Sequence, residues 1–450
     1  MILAAGQGKR MNSDLPKALQ PLAGRALLQH VVDTARALEP AAIHVVYGHG
    51  GERVREALRH EPLSWVPQTE LLGTGHALLQ VAPALRDEQR VLVLYGDVPL
   101  ITVATLRRLL DLAQADGVAL LTALPGDPSG YGRIVRDARG RVRRIVEERD
   151  ATKRELGIRE CNTGVLAAPA RRLKGWLARL TNANTQREYY LTDVIAMAVR
   201  ERVPVRPLAA PDATEVLGVN DKAQLAQVEA THRRRRASEL LAAGVTVLDP
   251  ERLDVRGSVQ AGRDVVLDVS IILEGQVRLG DRVRIGPYCI IRDAEIGADT
   301  EILGNCVIDR AVIGPGCRIG PFARFRPTST LARDVHVGNF VEVKNSRMGA
   351  ESKANHLSYV GDATVGAHVN IGAGTIIANY DGANKHLTTI EDHVHTGSNS
   401  VLIAPITVGA GATIAAGSTV TQQVPGGKLT IARARQTTIE GWQRPRKRTP

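Results

Sequence analysis

Two rhythms divide this chain. In the first half, short apolar runs alternate with stretches whose apolar residues recur every three or four positions. The runs "MILAAG", "AIHVVYG", "VLVLYGD" and "GVALLTAL" read as strands, and "RALLQHVVDTARAL", "GERVREALRH" and "VATLRRLLDLAQ" as helices. Strands alternating with helices predict a parallel α/β sheet with helices on both faces. Ligands of such sheets bind at the carboxyl ends of the strands, where "LAAGQGKR" and "LYGDVP" fall. The stretch "NDKAQLAQVEATHRRRRASELLAAG" is polar all round and predicts a long connecting helix.

From about Val255 the helical period stops and a six-residue period begins. An aliphatic residue followed by glycine recurs in "IGPYCI", "IGADTE", "IGPGCR", "IGPFAR", "VGNFVE", "VGDATV", "VGAHVN", "IGAGTI" and "VGAGAT". Each hexad reads as one short strand and a turn, and three make a triangular coil of about 18 residues. The aliphatic side chain points inward and stacks on its equivalent one coil later. The glycine is expected to let the corner turn tightly. A glycine-rich β-sandwich is the competing reading, and it does not explain a sustained period of six.

Composition adds little to this. The 450 residues are 44% hydrophobic and 23% charged, which suits two or three globular domains. No apolar run approaches the roughly 20 residues of a membrane span, and the start lacks a leader's charged and apolar regions. The cytoplasm is the expected location. Cys161, Cys289, Cys306 and Cys317 have no metal-ligand spacing and read as reduced, buried thiols. The net charge of +11 gathers in "HRRRRA" (Arg233 to Arg236) and "RPRKRTP". Without interleaved aromatics, these read as a solvated helix face and a tail, not as a nucleic-acid surface.

Several motifs carry chemistry. In "LAAGQGKRM", Gly6 and Gly8 would let backbone N–H groups approach phosphates, and Arg10 and Lys17 supply positive charge. Read alone, such a loop is as often a plain turn. Asp97 in "LYGDVPL" stands at a strand end, where a metal ligand or a helix cap belongs. Between Arg326 and Tyr380 the solenoid carries "RFRP", "VEVKNS", "ANHLSYVGD" and "NIGAGTIIANYDG", which are polar where an inert coil need not be.

Together these motifs resemble the bifunctional GlmU family of bacterial uridylyltransferases and acetyltransferases, over essentially the whole chain. The resemblance implies a Rossmann-like nucleotidyltransferase domain (1–220), a helical linker (221–243), and a left-handed parallel β-helix acetyltransferase domain with a C-terminal tail (244–450). It implies two reactions. Acetyl-CoA acetylates glucosamine-1-phosphate, then UTP reacts with N-acetylglucosamine-1-phosphate to give UDP-N-acetylglucosamine, for peptidoglycan and lipopolysaccharide synthesis. The family is a homotrimer and uses Mg²⁺.

By that resemblance, Leu3, Ala4, Ala5, Gly6, Arg10, Lys17, Tyr95, Gly96 and Asp97 hold the nucleotide, and Gln68, Gly73 and Thr74 read the uracil. Leu71 stands where the family often has a second glutamine. Asp97 and Asn220 are the expected Mg²⁺ ligands. Gly132, Glu147 and Asn162 are expected to hold the sugar, with Tyr190 and Thr192 nearby. For the acetyl site, Arg326, Lys344 and Tyr359 would grip the sugar phosphate, with Asn370, Asn379 and Tyr380. His356 would be the base, oriented by Glu342. Ala373, Asn379, Tyr380, Ser398, Ala416 and Arg433 would line acetyl-CoA, with Arg435 able to exchange roles with Arg433. Only Met1 and Ile2 precede "LAAG", so either the native start lies upstream or the first strand is short. A single-function nucleotidyltransferase with a structural solenoid, and a non-catalytic regulator of the same architecture, are the competing readings.

Overall fold

The computed structural model describes residues 1–6, 8–48, 50–113 and 116–446. They fall into two compact units, 1–232 and 233–450.

In the first unit the predicted elements form around a sheet. Its strand order is Val205–Ala209, Val118–Ala123, Cys161–Pro169, Arg90–Tyr95, Ile2–Ala4, His44–Tyr47, Ser64–Pro67. The expected all-parallel sheet needs correction. Cys161–Pro169 runs antiparallel to both its neighbours. It follows an antiparallel pair, Arg133–Arg136 with Val142–Val146, which reverses the chain without a helical crossover. The helix Leu27–Arg36 buries Leu27, Leu28, Val31, Val32 and Ala35, the apolar stripe read from the sequence. Each of the leucines and valines contributes about 1.5–3 kcal/mol on leaving water. The long polar helix is Lys222–Ala242.

The second unit is a parallel β-helix. Ile285, Ile302, Ile319, Val337, Ala354 and Ile371 pair in register through successive coils. All six are buried, so the hexad's aliphatic position is the core. One coil is longer. Asn370 pairs with His395 instead of a residue 17 or 18 later, and the excess folds outward around the bridge Tyr380 to Lys385.

The role of the hexad glycines differs from expectation. A Cβ on Gly297 would lie 2.6 Å from Pro315 N, and one on Gly314 2.5 Å from Ala332 O. Neither has a left-handed φ. These glycines leave room for the backbone of the next coil. The left-handed corner conformation is taken instead by Tyr288, Asn305, Phe322, Phe340 and Leu357, with φ from 52° to 62°. The conformation costs roughly 1–2 kcal/mol for a residue with a Cβ. The stacking offsets it, for the corner N–H groups of Tyr288, Asn305, Phe322 and Leu357 donate to the preceding coil, as Leu357 N does to Asn339 O at 3.0 Å.

Candidate functional site

The first constellation forms where the strands Ile2–Ala4 and Arg90–Tyr95 end. Gly8 has φ 63°, and a Cβ there would lie 2.8 Å from Lys17 Cβ. The glycine loop therefore wraps the lysine stem. Lys17 Nζ donates to Asp97 Oδ2 and to Asn220 Oδ1, the latter at 3.3 Å. Asn220 is held by its own N–H donating to Gln224 Oε1 at 2.7 Å, and Val219 N donates to Asp97 O at 2.9 Å. A carboxylate and an amide oxygen thus converge on one cation, which here is the lysine ammonium. Two hard oxygen donors beside an open cavity fit Mg²⁺, which takes its remaining ligands from phosphate and water. Among the described residues no group of three or more His, Cys, Asp and Glu offers a full protein cage.

A cavity of about 310 Å³ opens beside this triad. Leu3, Ala4, Ala5, Gly6, Lys17, Gln68, Gly73, Thr74, Tyr95, Gly96 and Asp97 line it, with Leu71 and Glu188. Buried Gln68 donates to Gly73 O at 3.2 Å and contacts His76 Nδ1 at 3.1 Å. Gly73 sits at φ 102°, where a Cβ would lie 2.8 Å from Tyr189 O. Arg10 does not line the cavity; it is exposed on the turn Lys9–Met11.

The expected sugar residues adjoin. Asn162 N donates to Gly132 O at 2.8 Å, and Thr192 Oγ1 donates to Glu147 Oε1 at 2.8 Å. Tyr190 accepts from Gln186 at 2.9 Å. Burial raises the Glu147 carboxyl above its ordinary value. Burial likewise pushes the Tyr95 hydroxyl up, with Glu147 and then Asp97 adding to it, so this ring stands between the two halves of the site. Glu188, which sequence reasoning passed over, lies two residues before Tyr190 in "REYYLTD" and lines the cavity.

The second constellation lies on the β-helix. Glu342 and Tyr359 are cross-strand neighbours, and Lys344 faces Gly361. Arg326 pairs with Glu342 at 3.2 Å and Lys344 with Asp362 at 3.1 Å. Asn379 Nδ2 donates to the same Asp362 oxygen, and Asn345 Nδ2 to the other at 2.6 Å. Gly361 is required, since a Cβ there would overlap the Tyr359 ring and hydroxyl. Burial works against the Lys344 charge, yet Asp362 leaves its pKa raised. The nearby Lys344 charge holds Lys385, on the outward loop, below its ordinary pKa, with Arg326 adding to it. Three cationic side chains gathered here suit an anion. Lys385 escaped sequence reasoning because it belongs to the segment that breaks the six-residue period.

The expectation that Glu342 orients His356 differs from what is found. Glu342 is engaged with Arg326, and His356 Nδ1 contacts Asn339 Oδ1 at 2.8 Å. Asn339 and His356 are register partners in one sheet, whereas Glu342 lies on the neighbouring sheet, beyond the corner. With an amide oxygen accepting from Nδ1–H, the lone pair resides on Nε2.

His356 also heads a column. Gly374 N donates to His356 O at 3.1 Å, Asn399 N to Ala373 O at 2.7 Å, and Gly417 N to Ser398 O at 2.8 Å. Arg433 Nη1 donates to Ala416 O. His356, Ala373, Ser398 and Ala416 therefore mark one corner, one residue per coil, with Arg433 at its end. At about 4.8 Å per coil the column rises about 14 Å from His356 to Ala416. Tyr380 stands apart on the outward loop, its hydroxyl donating to Gly382 O at 2.6 Å. Asn370 is not gathered with Lys344. It lines a separate cavity of about 420 Å³ with His336, Lys353, His368 and His395. All four cysteines are buried free thiols, and burial pushes Cys317 up to about 11.

Residues 1–242 match the MobA-like NTP transferase domain, 255–350 the GMPPB C-terminal domain, and 387–422 six bacterial transferase hexapeptide repeats. The bifunctional protein GlmU of Ralstonia pickettii (strain 12J) is 56% identical over 445 residues, 99% of this chain and 98% of that protein. That of Aromatoleum aromaticum (strain DSM 19018 / LMG 30748 / EbN1) is 57% identical over 449 residues, 100% of this chain and 98% of that protein.

Proposed function

This chain belongs to the GlmU family of bifunctional proteins, and on that premise we propose that its two constellations carry the family's two reactions. The chain is a bifunctional transferase that makes UDP-N-acetylglucosamine from glucosamine-1-phosphate, acetyl-CoA and UTP, with Mg²⁺. Residues 1–220 carry uridylyl transfer, 221–243 link, and 244–450 carry acetyl transfer.

In the acetyl site, Arg326, Lys344 and Lys385 bind the sugar phosphate beside Tyr359. His356 Nε2 takes a proton from the amine as the amine attacks the thioester carbonyl and the CoA thiolate leaves. Asn339, rather than Glu342, orients the ring. No acyl-enzyme forms, and the burial of all four thiols suits that. The arm of CoA follows the corner column past Ala373, Ser398 and Ala416 to Arg433, flanked by Asn379 and Tyr380. The single observation that carries this reading is that column, because residues far apart in sequence meet on one line headed by the base. Asn370 belongs to the same site only if another copy of the chain supplies it, which favours a homotrimer whose acetyl sites are shared.

In the uridylyl site, a phosphate oxygen of N-acetylglucosamine-1-phosphate attacks the α-phosphorus of UTP, and pyrophosphate leaves in line. The nucleophile is already anionic, so positioning and charge neutralisation do the catalysis. Lys17 neutralises the phosphates, Gln68, Gly73 and Thr74 hold the base, and Gly132, Glu147 and Asn162 hold the sugar. Mg²⁺, when bound by Asp97 and Asn220, supplies further charge to the phosphates. Lys17 must then release both oxygens and turn to the nucleotide. Work in the cytoplasm fits the four free thiols and these substrates.

The test is one incubation of protein with glucosamine-1-phosphate, acetyl-CoA, UTP and Mg²⁺, recording CoA thiol and pyrophosphate. Both should be released, and pyrophosphate should depend on acetyl-CoA. Thiol release without pyrophosphate would refute the first site's assignment.

A further inference from the structure

The outward loop that lengthens one coil is held by its own fastening. Asp381 accepts from Ala383 N at 2.8 Å, from Asn384 N at 2.6 Å, and lies 2.6 Å from His386 Nε2. The ends of the loop are tied as well. His386 N donates to Asn379 O at 2.8 Å and Asp381 N to Asn384 O at 3.1 Å. First the backbone donor at Asn384, then His386, hold the Asp381 carboxyl well below the usual carboxylate range. The carboxylate therefore stays ionised at neutral pH and pairs strongly.

Lys385 stands between two of the tied residues, Asn384 and His386. Its stem is long and its ammonium exposed, so without fixed neighbours it would spread over many rotamers. Fixed on either side, it bridges to Tyr380 and is held beside Asn379, whose carbonyl accepts from His386 N and whose Nδ2 donates to the Asp362 carboxylate that Lys344 pairs with. The bonds of Asp381 to Ala383, Asn384 and His386 all run within the loop, so they make the loop rigid.

We propose that the Asp381–His386 pair is a clasp that positions Lys385 for the phosphate of glucosamine-1-phosphate. Asp381 and His386 are positioning residues and touch no substrate. The inference rests on the acetyl-site reading above. A clasp of this kind acts on sugar-phosphate binding and leaves the proton transfer at His356 alone.

The test compares Asp381→Asn, His386→Gln, Lys385→Ala and Asp381→Asn/Lys385→Ala in the full chain. Asn at 381 keeps an oxygen for the two backbone donors and removes the charge seen by His386. The KM for glucosamine-1-phosphate should rise about tenfold in Asp381→Asn and in His386→Gln, the loss expected for a charge-assisted hydrogen bond. The kcat should hold within about twofold, and on the Lys385→Ala background Asp381→Asn should add less than about twofold. Pyrophosphate release from UTP and N-acetylglucosamine-1-phosphate should stay at the wild-type rate in every variant, and the retained kcat for acetyl transfer reports an intact β-helix. An unchanged KM in both clasp variants would overturn the proposal. So would an equal loss with and without Lys385, for the pair would then act on something other than that lysine. A wild-type protein that releases no CoA thiol would instead overturn the acetyl-site reading itself.

Discussion

On the reading proposed above, the two constellations solve the same problem, holding a sugar phosphate beside an activated donor, by opposite means. The uridylyl site is a cavity inside one α/β unit, built at strand ends, with its lysine, carboxylate and amide already in mutual contact. The acetyl site is a line on the outside of a coil, and its base is exposed. The difference follows from the folds. An α/β sheet ends in loops that close around a ligand. A β-helix offers only faces and corners, so a ligand there lies along the stack, and enclosure must come from a loop or another copy.

The contrast can be broken most sharply at His356. His356→Ala should lower acetyl transfer by about 10²–10⁴, the usual worth of a general base. Pyrophosphate release from preformed N-acetylglucosamine-1-phosphate should not change. Lys17→Ala should do the reverse, with uridylyl transfer down about 10²–10³ and CoA release intact. Equal losses in both half-reactions from either substitution would dissolve the distinction.

A smaller effect sharpens it on stability. Gly314→Ala forces a methyl against the next coil and should cost about 1–3 kcal/mol. Residual activity after heating should show the acetyl half-reaction lost at a lower temperature than in the wild type, with the uridylyl half-reaction unmoved. The same midpoint as wild type would mean that the coils tolerate the methyl.

The smallest effect lies at Glu147. Burial raises its pKa in the folded protein above the ordinary 4.5. The folded state therefore binds this proton more tightly than the unfolded chain does. The contribution to stability is fully present below the ordinary value and is lost as pH rises through the raised one. Glu147→Gln should flatten the stability profile from about pH 4.5 upward. Denaturant melts across that range that keep the wild-type slope would contradict it.

The same contrast explains what the sequence could reveal. Periods of 3.6 and of six are local, so Leu27–Arg36 and the stacked isoleucines were legible. The motifs of the cavity sit at strand ends and keep fixed spacing, and most of them do line it. Three features depended on distant pairing. Cys161–Pro169 is apolar in either direction, so nothing in it says antiparallel. The corner column joins His356 to Ala373, Ser398 and Ala416 at unequal intervals, because one coil carries a loop. Asn339 and Lys385 meet their partners only through that stacking. The glycines show the converse. Their period was plain in the sequence, and their purpose, room for the next coil, needed the coil to be seen.

The central claim is that one chain holds two separable sites working in sequence. The most direct test mixes Lys17→Ala with His356→Ala in glucosamine-1-phosphate, acetyl-CoA, UTP and Mg²⁺. Neither variant alone should make UDP-N-acetylglucosamine at more than a trace. The mixture should make it, because N-acetylglucosamine-1-phosphate released by the first is used by the second. A mixture as inactive as either variant, with both folded, would contradict the account and mean that each substitution disables both reactions.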